Sequence, residues 1–210
     1  FFNALDVQNC HLRGLPKGGR GDVWVYSIDP GLDRSPAVIL ISRWNSILRR
    51  LEIQECISLV REGNRYVSPD DGHQVVRDYT DLLDLILTLR QERPIHSLYY
   101  DPGTEQTIAE TLANSHQVSI VPCRIGGYAA KVTALRDLER SLANQRIVWT
   151  DSRITQQLLR FAPPVKSNGE YEFPSRDYDI IAALTQLNRY LGDRSEAPFI
   201  VSKHARKVAI

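Results

Sequence analysis

Two β-rich runs in this chain close on the same tripeptide, SIDPG around Asp29 and YYDPG around Asp101. Proline and glycine directly after an apolar run turn the chain out of a strand: Pro removes a ladder donor and Gly admits turn conformations. Each run therefore reads as a strand that ends on a carboxylate. Open α/β sheets bind their ligands in the crevice beyond the carboxyl ends of their strands. A chain with two such ends is constrained to a sheet that carries negative charge where ligands sit.

The pattern around these runs fills in the rest. Val23 to Ile28 (VWVYSI) and Pro36 to Trp44 (PAVILISRW) are apolar and β-rich, and each is bounded by turn signals. Leu48 to Ser58 fits a strand or an amphipathic helix; its place after two strands favours a three-strand antiparallel meander. From Asp71 to Arg93, Val75, Val76, Tyr79, Leu82, Leu83, Ile86 and Leu89 recur at helical spacing, and the helix should stop before Pro94. Ile95 to Tyr100 is a short strand, about Thr104 to Asn114 a helix, and Val118 to Val121 a strand again. That alternation is the mark of parallel strands joined by crossover helices. Gly126-Gly127 opens a loop into a helix from about Ala129 to Asn144, with Arg146 to Trp149 extended after it. Asp151 is placed to cap a helix reaching Phe161. Pro163-Pro164 breaks that helix, Lys166 to Gly169 turns into Glu170 to Phe173, and a last helix runs from about Arg176 to Leu191. The class is α/β: a mixed central sheet, an antiparallel meander followed by parallel strands, flanked by helices. Residues 1–21, which include the loop-like LPKGGRGD, read as a linker or edge extension, 22–192 as the domain, and 193–210 as a C-terminal tail. The chain holds no Met, the initiator included, which suggests a piece of a longer protein.

Several classes drop out. The longest apolar stretch, Ala37 to Ile41, is far short of the roughly 20 residues of a membrane helix, so no membrane is expected as a partner. No basic-then-apolar leader opens the chain. Three cysteines far apart, with no CxxC, favour neither a disulfide framework nor structural zinc, and a reduced, cytoplasmic setting is the default. GxSxG is absent, as is the GxxxxGK[ST] loop of an ATPase motor. The five histidines share no metal-ligand spacing. A net charge of +1 leaves the nucleic-acid question open, since the basic excess is local: Arg13, Lys17 and Arg20 near the start, Lys203, Arg206 and Lys207 at the end.

If the two Asp-Pro-Gly strands are neighbours, their carboxylates repel, and a proton or cation must intervene. Hard oxygen donors without His or Cys favour Mg²⁺ or Mn²⁺ over zinc. Turn chemistry alone also accounts for either motif. A third acidic site, Arg176-Asp177-Tyr178-Asp179, opens the final helix, where capping and the helix dipole explain an Asp equally well. Taken together, three acidic positions on three elements match the needs of two-metal phosphodiester chemistry. Lys131, just inside a helix after Gly126-Gly127, is placed to contact a phosphate or to be a plain surface lysine. Asp33 reads as a turn residue, the Asp residues at 78, 81 and 84 as one solvated helix face, and Trp24, Trp44 and Trp149 as core or sheet-face residues.

IDPGLDRS, followed by the strand PAVILI, resembles the start of ribonuclease H-like domains, RuvC-type Holliday-junction resolvases among them. The later segments resemble the nuclease domain of viral terminase large subunits of the tailed-bacteriophage type: LYYDPGTEQTIAETL, then GGYAAKVTALRDLERSLANQRIVW, SRITQQLLRF, the Gly-containing SNGEYEFPS, and RDYDIIAAL. In that family the closing helix starts His-Asp-Asp; here Asp177 stands where His is common, Tyr178 replaces the first Asp, and Asp179 aligns with the second. The resemblance spans about residues 22–192. It implies a ribonuclease H-like fold and a metal-dependent endodeoxyribonuclease that cuts concatemeric viral DNA during packaging. Asp29, Asp101 and Asp179 would hold two Mg²⁺ or Mn²⁺ ions, with Asp177 as a further candidate ligand and Lys131 as a DNA contact. It also implies double-stranded DNA, an N-terminal ATPase domain absent from this chain, a portal and a small terminase subunit as partners, and the host cytoplasm as the setting. The alternatives are a RuvC-like resolvase and a non-catalytic DNA- or partner-interaction domain.

Overall fold

The computed structural model describes residues 1–29, 37–62, 65–67, 75–76, 79–102, 106–123, 125–173 and 178–196. β1 (Trp24–Asp29), β2 (Ala37–Asn45) and β3 (Arg50–Glu62) form the expected antiparallel meander, with Tyr26 opposite Ile41 and Leu40 opposite Cys56. These strands are rich in β-branched and aromatic residues, which pack well on a pleated surface. After two short strands, β4 (Arg65–Val67) and β5 (Val75–Val76), the chain alternates: α2 (Tyr79–Glu92), β6 (Ile95–Tyr100), α3 (Gln106–His116), β7 (Ile120–Pro122), α4 (Tyr128–Ala143) and β8 (Ile147–Trp149). Two helices close the described chain, α5 (Ser152–Arg160) and α6 (Asp179–Glu196).

The strands run β8-β3-β2-β1-β6-β7 across the main sheet. β6 lies parallel to β1, β7 parallel to β6, and β8 parallel to β3. β4 and β5 extend the sheet antiparallel from the Val60–Glu62 end of β3. Val75 and Val76, read above as the start of a helix, are thus strand residues. Valine, being β-branched, favours strand pairing once a partner edge is present, and the backbone at Tyr66 and Val67 supplies that edge.

Helices cover both faces. On one, Trp24, Tyr26, Ile28, Ile39 and Ile41 meet Leu82 and Ile86 of α2 and Ile108 and Leu112 of α3. On the other, Val25, Val38, Leu40 and Tyr99 meet residues of α4, α5 and α6. Alternate β1 residues enter opposite cores, as the period of two along a strand demands. In α6, Ile180, Ile181, Ala183, Leu184, Leu187 and Tyr190 form a buried stripe at i, i+3, i+4 spacing, and the helix packs on β1, β2 and β6. Each fully buried Leu or Ile of that stripe contributes about 1.5–3 kcal/mol of hydrophobic transfer. α5 begins as expected, with the Asp151 carboxylate accepting from the Arg153 amide at 2.8 Å.

The first residues, read above as a linker or edge extension, include a helix packed on the domain. α1 (Ala4–Cys10), capped by Asn3, buries Val7 and Cys10 completely and packs on α4 and α5. Phe1 and Phe2 stack edge-on with each other and reach Phe161. The apolar positions Leu5, Val7 and Cys10 are too few to signal a helix alone; tertiary packing makes it one.

Candidate active site

β1 and β6 are parallel neighbours, with Ser27 paired to Tyr99 and Ile28 to Tyr100. Asp29 is the last residue of β1 and Asp101 the first after β6. The register therefore sets the two strand-end aspartates side by side, on backbones about 4.8 Å apart. Asp29 is half-buried and also pairs with Val38 of β2, so it is held from both sides. By strand parity it lies on the face of Val25 and Ser27, the face that α6 covers. Asp101, also half-buried, exerts its charge on the Cys123 thiol, which belongs to the same face. That thiol is pushed up to about 12, chiefly by burial, so it stays protonated beside the carboxylates.

Asp179 opens α6 and is buried, at 8% exposure. The start of that helix is fixed by its neighbours: Tyr178 lies edge-on to Phe161 at 4.5 Å, and the Ile181 amide donates to the Gln157 side chain of α5 at 3.1 Å. A carboxylate in the first turn is favoured by the positive end of the helix dipole. Among the described residues, no set of three or more His, Cys, Asp and Glu side chains is gathered as a metal cluster. The structure thus joins Asp29 to Asp101 by register and puts Asp179 at the start of α6, which packs on β1, β2 and β6, without closing the three into one group. Asp177, Asp33 and Asp78 lie outside the described residues. Lys131 stands exposed in the first turn of α4, a helix that packs on α6, α1 and β8.

The other candidates have structural roles. His11 bonds the Thr150 carbonyl at 3.0 Å and the Thr155 hydroxyl at 3.0 Å. Trp24 and Trp149 are buried, one in each core. Asp84 is exposed and Asp81 half-buried on α2. Sequence reasoning missed Ser27, whose fully buried Oγ has no hydrogen-bond partner among the described residues and lies on the same face as Asp29. A polar residue between apolar strand positions was the only sign of it.

No family model matches the chain, and no curated protein is similar to it in sequence. The likeness appears in three dimensions. The large terminase nuclease from the thermophilic phage G20c, solved with bound magnesium, superposes with a TM-score of 0.61 over 88% of this chain and 94% of that one, at 14% identity. The fold is that of a large-terminase nuclease domain. The large terminase nuclease domain of bacteriophage SPP1, solved with bound Mn, matches over 81% of this chain and 88% of its own, at 14% identity and a TM-score of 0.52. The bacteriophage HK97 large terminase matches over 89% of this chain but only 42% of its own length, at 12% identity and a TM-score of 0.63. The ribonuclease H-like sheet of the terminase nucleases is thus shared over most of this chain.

Cation chemistry can be weighed against the residues present. Two half-buried carboxylates at adjacent strand ends offer hard oxygen donors, and among the described residues no His or Cys completes a zinc set with them. Mg²⁺ is usually held by one or two carboxylates, retaining water and taking further oxygens from substrate phosphates. A pair of carboxylates without a closed protein cage fits that pattern.

Proposed function

We propose that this chain is a metal-dependent DNA endonuclease of viral genome packaging, with Asp29 and Asp101 at the centre of its site. The observation that carries the reading is the β1–β6 register, which sets two carboxylates at adjacent strand ends in a terminase-nuclease fold. Asp29 and Asp101 would hold Mg²⁺ or Mn²⁺, with Asp179, or Asp177 in its place, as the third acidic residue of a two-ion site. Bound there, such ions supply Lewis-acid activation of water and charge neutralisation at the scissile phosphate. The residues do the positioning. Asp29, anchored between β2 and β6, and Asp101, one residue beyond β6, present fixed negative charge towards the ligand crevice, so little reorganisation is needed when DNA arrives. Buried Asp179 adds a carboxylate at a helix start that Gln157 and Phe161 fix. Double-stranded DNA is the substrate. The motif resemblance extends the proposal to partners: an ATPase domain, a portal and a small terminase subunit, in the host cytoplasm.

Conversion of supercoiled plasmid to nicked and linear forms, with Mg²⁺, Mn²⁺ or EDTA, tests this. Cutting should require metal and be lost in Asp29→Asn. Cutting that survives Asp29→Asn, or that proceeds in EDTA, would remove the reading. Preference for four-way junctions over linear duplex would move it to the resolvases.

A further inference from the structure

A groove of about 680 Å³ runs between α4 and α6, from the end of β7 to Arg146 at the start of β8. Its upper end meets Cys123, whose amide donates to the Tyr100 carbonyl at 2.7 Å, one residue before Asp101. It therefore begins beside the second carboxylate of the proposed site. Its walls carry Thr133, Arg140, Arg146, Thr185, Asn188 and Arg189. Arginine, threonine and asparagine are the side chains that contact sugar and phosphate oxygens in protein–DNA interfaces.

Two features suit this surface to a polar ligand. Asn188 is 8% exposed, yet its Oδ1 has no hydrogen-bond partner among the described residues. A buried amide left unmatched is costly, and rotating it presents an N–H donor in the same place. Among the described residues, no carboxylate pairs with the half-buried Arg146 guanidinium. Among the described residues, the other two arginines are held by exposed pairs on their own helices, Arg140 with Asp137 at 2.9 Å and Arg189 with Asp193 at 3.3 Å, and both carboxylates line the groove with them. Such pairs are weak and exchange readily for a phosphate.

We infer that the α4–α6 groove binds the phosphodiester backbone of one nucleic-acid strand leading away from the Asp101 end of the site. This rests on the nuclease reading for its ligand class. It assigns the phosphate contacts to Arg146, Arg189 and Asn188 rather than to Lys131, which does not line the groove. An acidic peptide would satisfy the same arginines, but it would not account for a groove that starts beside Asp101.

The test is fluorescence anisotropy of labelled single-stranded and duplex oligonucleotides in EDTA across a salt series, with plasmid nicking measured in parallel. The double variant Arg146→Gln, Arg189→Gln should bind about tenfold more weakly, and its salt slope should be shallower by about one for each phosphate it no longer neutralises. Thr133→Glu, an exposed change that leaves the core intact, should also weaken binding, and Lys131→Gln should leave it unchanged. Wild-type affinity and slope in both groove variants would overturn the inference, as would a wild-type protein that binds neither oligonucleotide. Nicking that persists while the groove variants bind normally removes the groove and spares the nuclease. Groove-dependent binding without metal-dependent nicking does the reverse.

Discussion

Arg43 and Glu52 face each other across the β2–β3 ladder, with Arg43 Nη2 donating to the Glu52 carboxylate at 2.5 Å. Asn45 and Arg50 complete the ring around that carboxylate, at 2.9 and 3.0 Å, and Glu52 is fully buried. Burial pushes its pKa up, but the hydrogen bonds from Arg43, Asn45 and Arg50 outweigh burial and hold it below the usual glutamate range. A depressed carboxylate contributes stability above its unfolded pKa and loses it as pH falls through the folded one. Urea melts should therefore weaken below about pH 4.5. Glu52→Gln, which takes the anion from Arg50 and leaves Arg43 only the longer pair with Asp22 at 3.7 Å, should cost about 3 kcal/mol at pH 7 and flatten part of that acid dependence. Equal acid sensitivity in the variant would place the effect elsewhere.

The stripe of α6 is the keel of the face that carries Asp29. Leu184 is fully buried there. Leu184→Ala should lower unfolding stability by about 3 kcal/mol, measured by chemical denaturation. A loss below about 1 kcal/mol, on the scale expected of surface substitutions, would mean that α6 does not pack on the sheet as described.

The Asp151 carboxylate caps α5 and also grips the Arg153 guanidinium, whose Nη2 donates to the Cys56 carbonyl at 2.6 Å. Asp151→Ala should cost about 1 kcal/mol from the cap alone, with somewhat more because the arginine bridge to β3 loosens. Asp151→Asn should recover most of the cap but not the charge. A thermal melt distinguishes the two.

All three cysteines are buried, and none of them is in a disulfide. Burial pushes the Cys10 and Cys123 thiols up to about 12, so neither forms thiolate at neutral pH. A chromogenic disulfide reagent at mildly alkaline pH should label none of the three in the native protein and all of them after unfolding. Rapid native labelling at Cys123 would show that the groove beside it opens to solvent at that depth.

The sequence makes much of this legible because the strand ends carry their own punctuation. Asp-Pro-Gly after VYSI and after LYY marks two strand ends, and the alternation that follows implies parallel pairing, which the Ile28–Tyr100 register bears out. The capping role of Asp151 and the meander were visible for the same reason: local chemistry and global fold agree there. Other features are decided by tertiary packing. Val75 and Val76 fit a helical spacing, and only the edge of β4 makes them a strand. α1 is short and gains its stability from the core beneath Val7 and Cys10. Arg146, Asn188 and Arg189 are ordinary surface-type residues in sequence; they share a groove only because α4 and α6 pack side by side. Asp29 and Asp101 become neighbours through a register that residue spacing alone does not set.

That pairing is best tested by locating the cation itself. Crystals soaked in Mn²⁺ should give an anomalous difference peak within about 2.5 Å of carboxylate oxygens from both Asp29 and Asp101. Asp29→Asn crystals treated alike should lose or weaken it. A peak elsewhere on the protein, or none at these two residues at saturating Mn²⁺, would contradict the account.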